Sequence, residues 1–246
     1  MKAFSKIKSS LANSFAGLVT RPSFRYKVIW PLTHLLNKNP DEEILEKAMR
    51  FAAHAGIKGD YLEFGVWKGR SFVKAFHLRN LFMDEKLEQM KFYAFDSFQG
   101  LPEIKNEFDM TSEAFKKGQY SCDLGTFKKI LRNNGVNMEE VVIVPGWYQD
   151  TLNQRTKKEL GLEKASVVFI DCDLYESTVP VLDFITDLVR DGTIVIFDDW
   201  FAFRGNPDYG EQKAFKDWLK KNPSIKASEW QKVNWKTNSF ILHLKK

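Results

Sequence analysis

Four aspartates in two short segments are the residues of this sequence best suited to chemistry. Asp171 and Asp173 come directly after an apolar run, and Asp198 and Asp199 follow a second apolar run, with Asp198 27 residues after Asp171. Four carboxylates at one edge of a sheet would repel one another unless a cation or protons lay among them. Their hard oxygen atoms suit Mg²⁺, or else Mn²⁺ or Ca²⁺. The alternative is that these aspartates only cap helices and form turns, which does not require four of them at one edge.

A glycine-containing turn in the segment Leu62–Ser71 is the second candidate site. Gly65 and Gly69 stand between a predicted strand and a predicted helix, where glycine permits a tight turn and close approach of a ligand to the backbone. Glu63 lies near the end of the strand, and a buried carboxylate needs a partner, such as the positive charge of a sulfonium amino acid. Because the segment lacks the full Gly-x-Gly-x-x-Gly pattern, an ordinary strand-to-helix turn is the alternative.

Two later strand ends add residues that could bind a nucleoside. Asp96 follows the second predicted strand, where an acid commonly accepts hydrogen bonds from ribose hydroxyls. It lies 31 residues past Gly65, against about 20 in the dinucleotide fingerprint, which argues against NAD. The alternative for Asp96 is a turn closed by its own side chain. Gly146 and Trp147 follow the third predicted strand and could line an adenine pocket, although aromatic residues more often belong to a core.

Alternating strand and helix patterns position these residues. Short apolar runs predict strands, and apolar residues at three- and four-residue spacing predict helices. The predicted strands are Tyr61–Val66, Lys91–Phe95, Val141–Pro145, Ser166–Ile170, Thr193–Phe197 and Ser239–Leu244. The predicted helices are Asp41–Ala55 (with Asp41 as its N-cap), Arg70–Phe82, Thr126–Asn133, Val179–Val189 and Glu211–Lys220. This alternation is typical of an α/β fold with a doubly wound, mostly parallel sheet, whose ligands bind at the carboxyl ends of the strands. The candidate residues would therefore meet at one edge.

Charge and composition narrow the class of protein. A chain of 246 residues with 43% hydrophobic residues has room for one α/β domain with a substantial core. Residues 1–40 hold seven lysines and arginines and no acid, so the net charge of +5 comes from this segment and the remainder is close to neutral. A near-neutral body argues against a nucleic-acid partner. Two cysteines make neither a disulfide framework nor a Cys-rich zinc site, and they fit a reducing cytoplasm.

The basic segment, residues 1–40, is predicted to be an arm in front of a domain at residues 41–246. Apolar residues at three- and four-residue steps from Phe4 to Leu18 predict an amphipathic helix. One interpretation is that this helix docks on the body or on a partner subunit of a homo-oligomer. The other is peripheral contact with an anionic membrane at its inner surface. Asn13 and Ser14 interrupt the apolar stretch, which argues against a signal peptide and favours a cytoplasmic location.

Taken together, these segments resemble the macrocin O-methyltransferase family of class I S-adenosylmethionine (SAM)-dependent methyltransferases. The resemblance covers roughly residues 45–245. It rests on several segments in the family's order: Glu63–Gly69, Phe95–Pro102, Pro145–Leu152, Asp171–Thr178, Asp198–Asp199 and Gly210–Phe215. It implies a Rossmann-like, seven-stranded sheet that binds SAM, and O-methylation that depends on Mg²⁺ or Mn²⁺ and often modifies a sugar hydroxyl.

The resemblance also implies roles for single residues. The residues assigned to SAM are Glu63, Gly65, Gly69, Ser71, Asp96, Ser97, Gly146, Trp147 and Asp171. The residues assigned to the metal are Asp171, Asp198 and Asp199, and Asp173 is assigned as the general base. The acceptor would be a small molecule or a glycan. Aromatic and basic residues after the second acidic pair would form either its pocket or a plain lid: Trp200, Phe201, Phe203 and Arg204.

Three other classes of protein compete with this interpretation. The segment Phe169–Asp173 mimics the hydrophobic-Asp-x-Asp motif of haloacid dehalogenase-type phosphatases, but it follows the fourth predicted strand instead of the first. A metal-dependent glycosyltransferase with an Asp-x-Asp pair would leave Glu63–Gly69 unexplained. A non-catalytic scaffold that binds a partner through its basic arm would have no reason to keep four clustered carboxylates.

Overall fold

The computed structural model describes residues 40–82, 89–110 and 114–245. Apart from Pro40, the arm at residues 1–40 lies outside this range, so its amphipathic helix stays a prediction. Within the described part of the chain, the helices are too short or too polar to cross a lipid bilayer.

A seven-stranded sheet forms the centre of the described part of the chain. Its strands are β1 (Asp60–Phe64), β2 (Phe92–Asp96), β3 (Val141–Pro145), β4 (Ala165–Ile170), β5 (Ile194–Phe197), β6 (Ile225–Lys232) and β7 (Asn238–Leu244). They lie in the order β3-β2-β1-β4-β5-β7-β6. All neighbouring pairs are parallel except the two that involve β7. The predicted doubly wound, mostly parallel sheet is therefore confirmed, and its switch point lies between β1 and β4.

Helices cover both faces of this sheet. They are α1 (Pro40–Ala55), α2 (Arg70–Phe82), α3 (Leu124–Asn133), α4 (Tyr148–Thr151), α5 (Gln154–Leu160), α6 (Tyr175–Ile185) and α7 (Gly210–Lys221). One apolar cluster joins α1, α2 and α3 to the sheet, and a second joins α6 and α7 to its other face. Because strand side chains alternate, Tyr61 belongs to the first cluster and Leu62 to the second. Burial on both faces explains why the central strands are continuous apolar runs.

Four helices begin earlier than their sequence pattern predicts: α3 by two residues, α7 by one, and α1 and α6 as follows. Helix α1 begins at Pro40, so Asp41 lies in its first turn and not at the N-cap, because proline is well suited to the first helical position. Helix α6 begins at Tyr175, four residues before the predicted start at Val179. The backbone N–H groups of Tyr175 and Glu176 donate to the carboxylate of Asp109 at 2.7 and 3.1 Å. A cap from a distant loop thus extends α6 toward the strand end.

The described parts of the connection from β2 to α3, residues 97–110 and 114–123, fold back over the edge of the sheet where the strands end. Its two arms pair through the backbone: Leu101 N donates to Gln119 O, and Gly118 N donates to Leu101 O, both at 2.9 Å. A small apolar cluster then attaches the connection to the start of α6 and to the segment after β5, through Leu101, Phe115, Leu174 and Phe203. This connection therefore forms one wall of the cleft at the switch point.

Candidate active site

A cleft of about 650 Å³ opens at the carboxyl ends of the central strands. The predicted site residues that line it are Gly65, Ser71, Asp96, Ser97, Trp147, Asp171, Asp173, Asp198 and Asp199. Three others do not line it: Glu63, Gly69 and Gly146. The structure thus brings residues from five separate segments to the switch point, which is where a doubly wound sheet binds its ligands.

The turn after β1 has room only for glycine. Gly65 has φ +84°, and a Cβ atom added to it would lie 1.8 Å from the carbonyl oxygen of Asp171. The same strand ends are joined by a hydrogen bond from Asp171 N to Phe64 O at 2.8 Å. Gly65 therefore lets the chain leave β1 directly beside the acidic segment after β4.

The Asp96 carboxylate organises this turn. Its Oδ2 accepts from the backbone N–H groups of Val66 and Trp67 at 2.8 and 3.1 Å, and its Oδ1 accepts from Phe98 N at 2.7 Å. The turn expected as the alternative is thus present. A carboxylate offers about four acceptor positions, so Asp96, which lines the cleft, keeps capacity for a hydroxyl group of a ligand.

Glu63 lies behind the cleft wall. Its carboxyl group is buried and accepts hydrogen bonds from Tyr61 Oη and, at 2.6 Å, from Ser71 Oγ. Burial raises the Glu63 pKa to about 8, although both hydrogen bonds oppose this rise. Ser71 lines the cleft and donates to Glu63, so Glu63 orients the Ser71 hydroxyl group without lining the cleft itself.

The raised pKa of Glu63 predicts a stability that falls as the pH rises. Between its ordinary pKa of 4.5 and about 8, the folded chain holds a proton that the unfolded chain has lost. The free energy of unfolding then decreases by up to about 1.4 kcal/mol per pH unit from this group. Glu63→Gln should remove that share of the slope in urea unfolding between pH 5 and 8, measured without ligand or metal. The matched control is Glu163→Gln, at an exposed position; equal slopes for both variants would contradict the prediction.

Three of the four aspartates form one cluster. Asp171, Asp173 and Asp199 each place a carboxylate oxygen within 4.8 Å of the other two. A divalent ion with bonds of about 2.0–2.6 Å fits among ligands at this spacing. Burial, followed by the neighbouring carboxylates, raises the pKa of Asp171 and of Asp173 well above the ordinary range. A bound cation would relieve this repulsion, so the cluster fits a divalent metal ion.

The fourth aspartate has two partners of its own. Asp198 Oδ1 accepts from Thr237 Oγ1 at 3.0 Å, and its Oδ2 contacts the ammonium group of Lys236. The Lys236 Nζ also lies 3.4 Å from Asp199 Oδ1. Burial alone would lower the pKa of Lys236, but Asp199 and Asp198 outweigh it and raise that pKa above its ordinary value. The role of Asp198 as a metal ligand stays a prediction.

Lys236 and Glu211, which both contact the acidic pair Asp198 and Asp199, were not among the residues predicted from the sequence. Lys236 is one of many lysines, and its position depends on the pairing of β7 with β5. Glu211, in the first turn of α7, is fully buried and accepts from the backbone N–H of Asp199 at 3.1 Å. The available signal for Glu211 was an acid at the start of a predicted helix, because N-terminal helix positions favour acids. This hydrogen bond from Asp199 N to Glu211 therefore holds the backbone of Asp199 in position.

Trp147 lines the cleft as predicted, but the aromatic residues that follow the second acidic pair do not. Trp200 packs into the core against Phe240 at 4.8 Å, and Phe203 is buried. The cleft lining contains neither of them, nor Phe201 or Arg204. Instead, Trp67 and Tyr120 line it, with 42% and 48% of their surfaces exposed and their rings edge to face at 5.6 Å. Exposed aromatic rings at a cleft are suited to contact a ligand.

The sheet order, the antiparallel β7 and the cleft at the switch point define the class I methyltransferase fold. The chain belongs to the macrocin O-methyltransferase family, because the family model described as Macrocin-O-methyltransferase (TylF) matches residues 41–237. The family predicted from the sequence segments is confirmed.

Similar proteins agree with this assignment. The 8-demethyl-8-(2,3-dimethoxy-alpha-L-rhamnosyl)-tetracenomycin-C 4'-O-methyltransferase of Streptomyces olivaceus is 28% identical over 149 residues, which are 59% of this chain and 54% of the relative. The mycinamicin III 3''-O-methyltransferase of Micromonospora griseorubida is 26% identical over 162 residues, or 63% and 61% of the two chains. The chain thus spans between half and two thirds of the length of these relatives. The solved structure of the calicheamicin methyltransferase CalS11 has a TM-score of 0.67 and 22% identity, and the match covers 92% of this chain and 91% of that one.

Proposed function

We propose that this protein is a SAM-dependent O-methyltransferase that methylates a hydroxyl group of a sugar, with a bound Mg²⁺ or Mn²⁺ ion. The observation that carries the proposal is one cleft that joins the Gly65 turn to the carboxylate trio Asp171, Asp173 and Asp199. Family membership supports it, and so do relatives whose names describe O-methylation, one of them on a rhamnosyl compound.

SAM would occupy the part of the cleft next to β1 and β2. Asp96 would accept hydrogen bonds from the ribose hydroxyl groups beside Ser97, and Trp147 would offer an aromatic surface to the adenine. Gly65 permits close approach of the methionine part to the backbone. Ser71, held by Glu63, lines the same wall.

The acceptor would lie on the side of the carboxylates. Asp171 and Asp199 would hold the metal ion, with Asp198 as the further predicted ligand. When bound, the ion polarises an acceptor hydroxyl and favours its ionised form. Asp173 takes the hydroxyl proton while the oxygen attacks the methyl carbon of SAM. The bond from carbon to sulfur breaks, the sulfonium loses its charge, and S-adenosylhomocysteine and the methyl ether leave.

The acceptor itself would be a small molecule or a glycan that contacts Trp67 and Tyr120 at the mouth of the cleft. An aromatic wall beside a carboxylate cluster suits a ring with one apolar face and several hydroxyl groups. Peripheral membrane contact through the arm and assembly into a homo-oligomer stay predictions, as does the cytoplasmic location.

Calorimetric titration with SAM, together with methyl transfer from labelled SAM to glycan extracts, tests this function. We expect SAM to bind with and without MgCl₂, and we expect transfer to require the metal and to stop on addition of EDTA. A chain that does not bind SAM is not this enzyme. Transfer that continues without metal would contradict only the metal-assisted mechanism. Hydrolysis of p-nitrophenyl phosphate without SAM would favour the phosphatase alternative.

A further inference from the structure

A lysine side chain lies among the carboxylates of the cleft. The Lys236 ammonium group contacts Asp198 Oδ2 and lies 3.4 Å from Asp199 Oδ1, and only 22% of the side chain is exposed. Asp198 and Asp199 are the two predicted metal ligands that follow β5. The positive charge of Lys236 therefore stands where a divalent ion would find two of its ligands.

The turn between β6 and β7 holds this lysine in place. Asn234 Oδ1 accepts from the backbone N–H groups of Lys236 and Thr237 at 2.8 and 2.6 Å. The carbonyl oxygen of Lys236 accepts from Phe201 N at 3.0 Å, which joins the turn to the segment after β5. Thr237 Oγ1 also donates to the backbone oxygen of Asp198 at 3.2 Å. The backbone of Lys236 is thus fixed on both sides, and its partly buried side chain extends from this fixed turn to the two carboxylates.

We propose that Lys236 is a resident cation that competes with the divalent metal ion for Asp198 and Asp199 and so keeps the metal affinity of the chain low. The proposal rests on the proposed metal-assisted methyl transfer. Lys236 is a positioning residue in this role, because it acts through the two carboxylates. An entering ion must share Asp199 with the ammonium group or displace it, and at this range repulsion between the two positive charges is strong in a partly buried site.

Replacement of Lys236 by methionine should therefore tighten metal binding. Methionine has a similar length without the charge, so both carboxylates become available to the ion. We expect Lys236→Met to bind Mn²⁺ at least about tenfold more tightly than the wild type, measured from the electron paramagnetic resonance signal of free Mn²⁺. Damage to the site would weaken binding, so a gain in affinity separates this role from a purely structural one.

Three further variants complete the test. Lys236→Gln, which can still donate a hydrogen bond, should also tighten binding and serves if the methionine variant does not fold. Lys236→Arg keeps the charge and should stay within about threefold of the wild type. Lys232→Met is the matched control, since Lys232 pairs with Glu229 at an exposed position of β6, and it should not change Mn²⁺ affinity.

The outcomes separate this inference from the proposed function. Unchanged or weaker Mn²⁺ binding in both Lys236→Met and Lys236→Gln, with wild-type binding intact, would overturn the role of Lys236 alone. A chain that binds SAM but binds no Mn²⁺ as the wild type, as Lys236→Met or as Lys236→Gln would overturn this role together with the metal-assisted mechanism. Tighter binding in the two uncharged variants, with Lys236→Arg and Lys232→Met near the wild type, would support it.

Discussion

Asp173→Asn is expected to lower methyl transfer by about two to four orders of magnitude while SAM affinity stays within about threefold of the wild type. Asparagine cannot take the proton of the acceptor hydroxyl, but it keeps one oxygen for the neighbouring groups. The backbone should tolerate the change, because Asp173 has φ +63° and asparagine is among the residues that adopt this conformation most readily. Rates from labelled SAM and affinities from calorimetry measure the two effects separately.

Asp191→Asn is the matched control, because it removes a carboxylate at a position away from the cleft. Asp191 is largely exposed and lies 3.3 Å from the ring of His243, outside the cleft lining. Asp191→Asn should keep both the rate and the SAM affinity. If Asp173→Asn retained methyl transfer within tenfold of the wild type, another group would have to be the base.

The site residues that lie at strand ends could be predicted from the sequence. Asp96 ends β2, Asp171 directly follows β4, and Asp199 is the second residue after β5. Parallel strands of one sheet end at the same edge. Gly65 was recognisable because a turn between a strand and a helix favours glycine. Local order along the chain was sufficient for these residues.

Elements and contacts that depend on residues far apart in the sequence could not be predicted in this way. Strand β6 has a half-exposed, polar sequence in which only Ile225 is buried, and its backbone pairing with β7 makes it a strand. The early start of α6 requires Asp109, which stands 66 positions before Tyr175. Lys236 reaches Asp198 only because β7 lies antiparallel to β5. No periodicity within a short window reports such contacts.

The same distinction explains the position of the aromatic residues. Trp200 and Phe203 follow the acidic pair closely in sequence, which suggested a place at the cleft. The chain turns after Asp199, however, and Trp200 fills space between Phe197 and Phe240. Tyr120 reaches the cleft from the long connection after β2, whose path depends on the backbone pairing of its two arms.

Gly65→Ala should destabilise the chain by at least about 3 kcal/mol and lower SAM affinity more than tenfold. The added Cβ atom would lie 1.8 Å from the carbonyl oxygen of Asp171, so the turn or the end of β4 must move. Either movement displaces the wall that SAM would contact and the first member of the carboxylate trio. Urea unfolding measures the stability, and calorimetry of the folded fraction measures the SAM affinity.

Gly161→Ala separates this close approach from the cost of the backbone conformation. Gly161 ends α5 with φ +62°, and a Cβ atom added there meets nothing within 4 Å. Alanine at that position should cost only about 1–2 kcal/mol, the penalty of a left-handed conformation, and should leave SAM affinity unchanged. Similar losses of stability in the two variants would show that conformation alone accounts for Gly65. A larger loss of stability in Gly65→Ala, together with weaker SAM binding, would show that SAM binding depends on the close contact between the ends of β1 and β4.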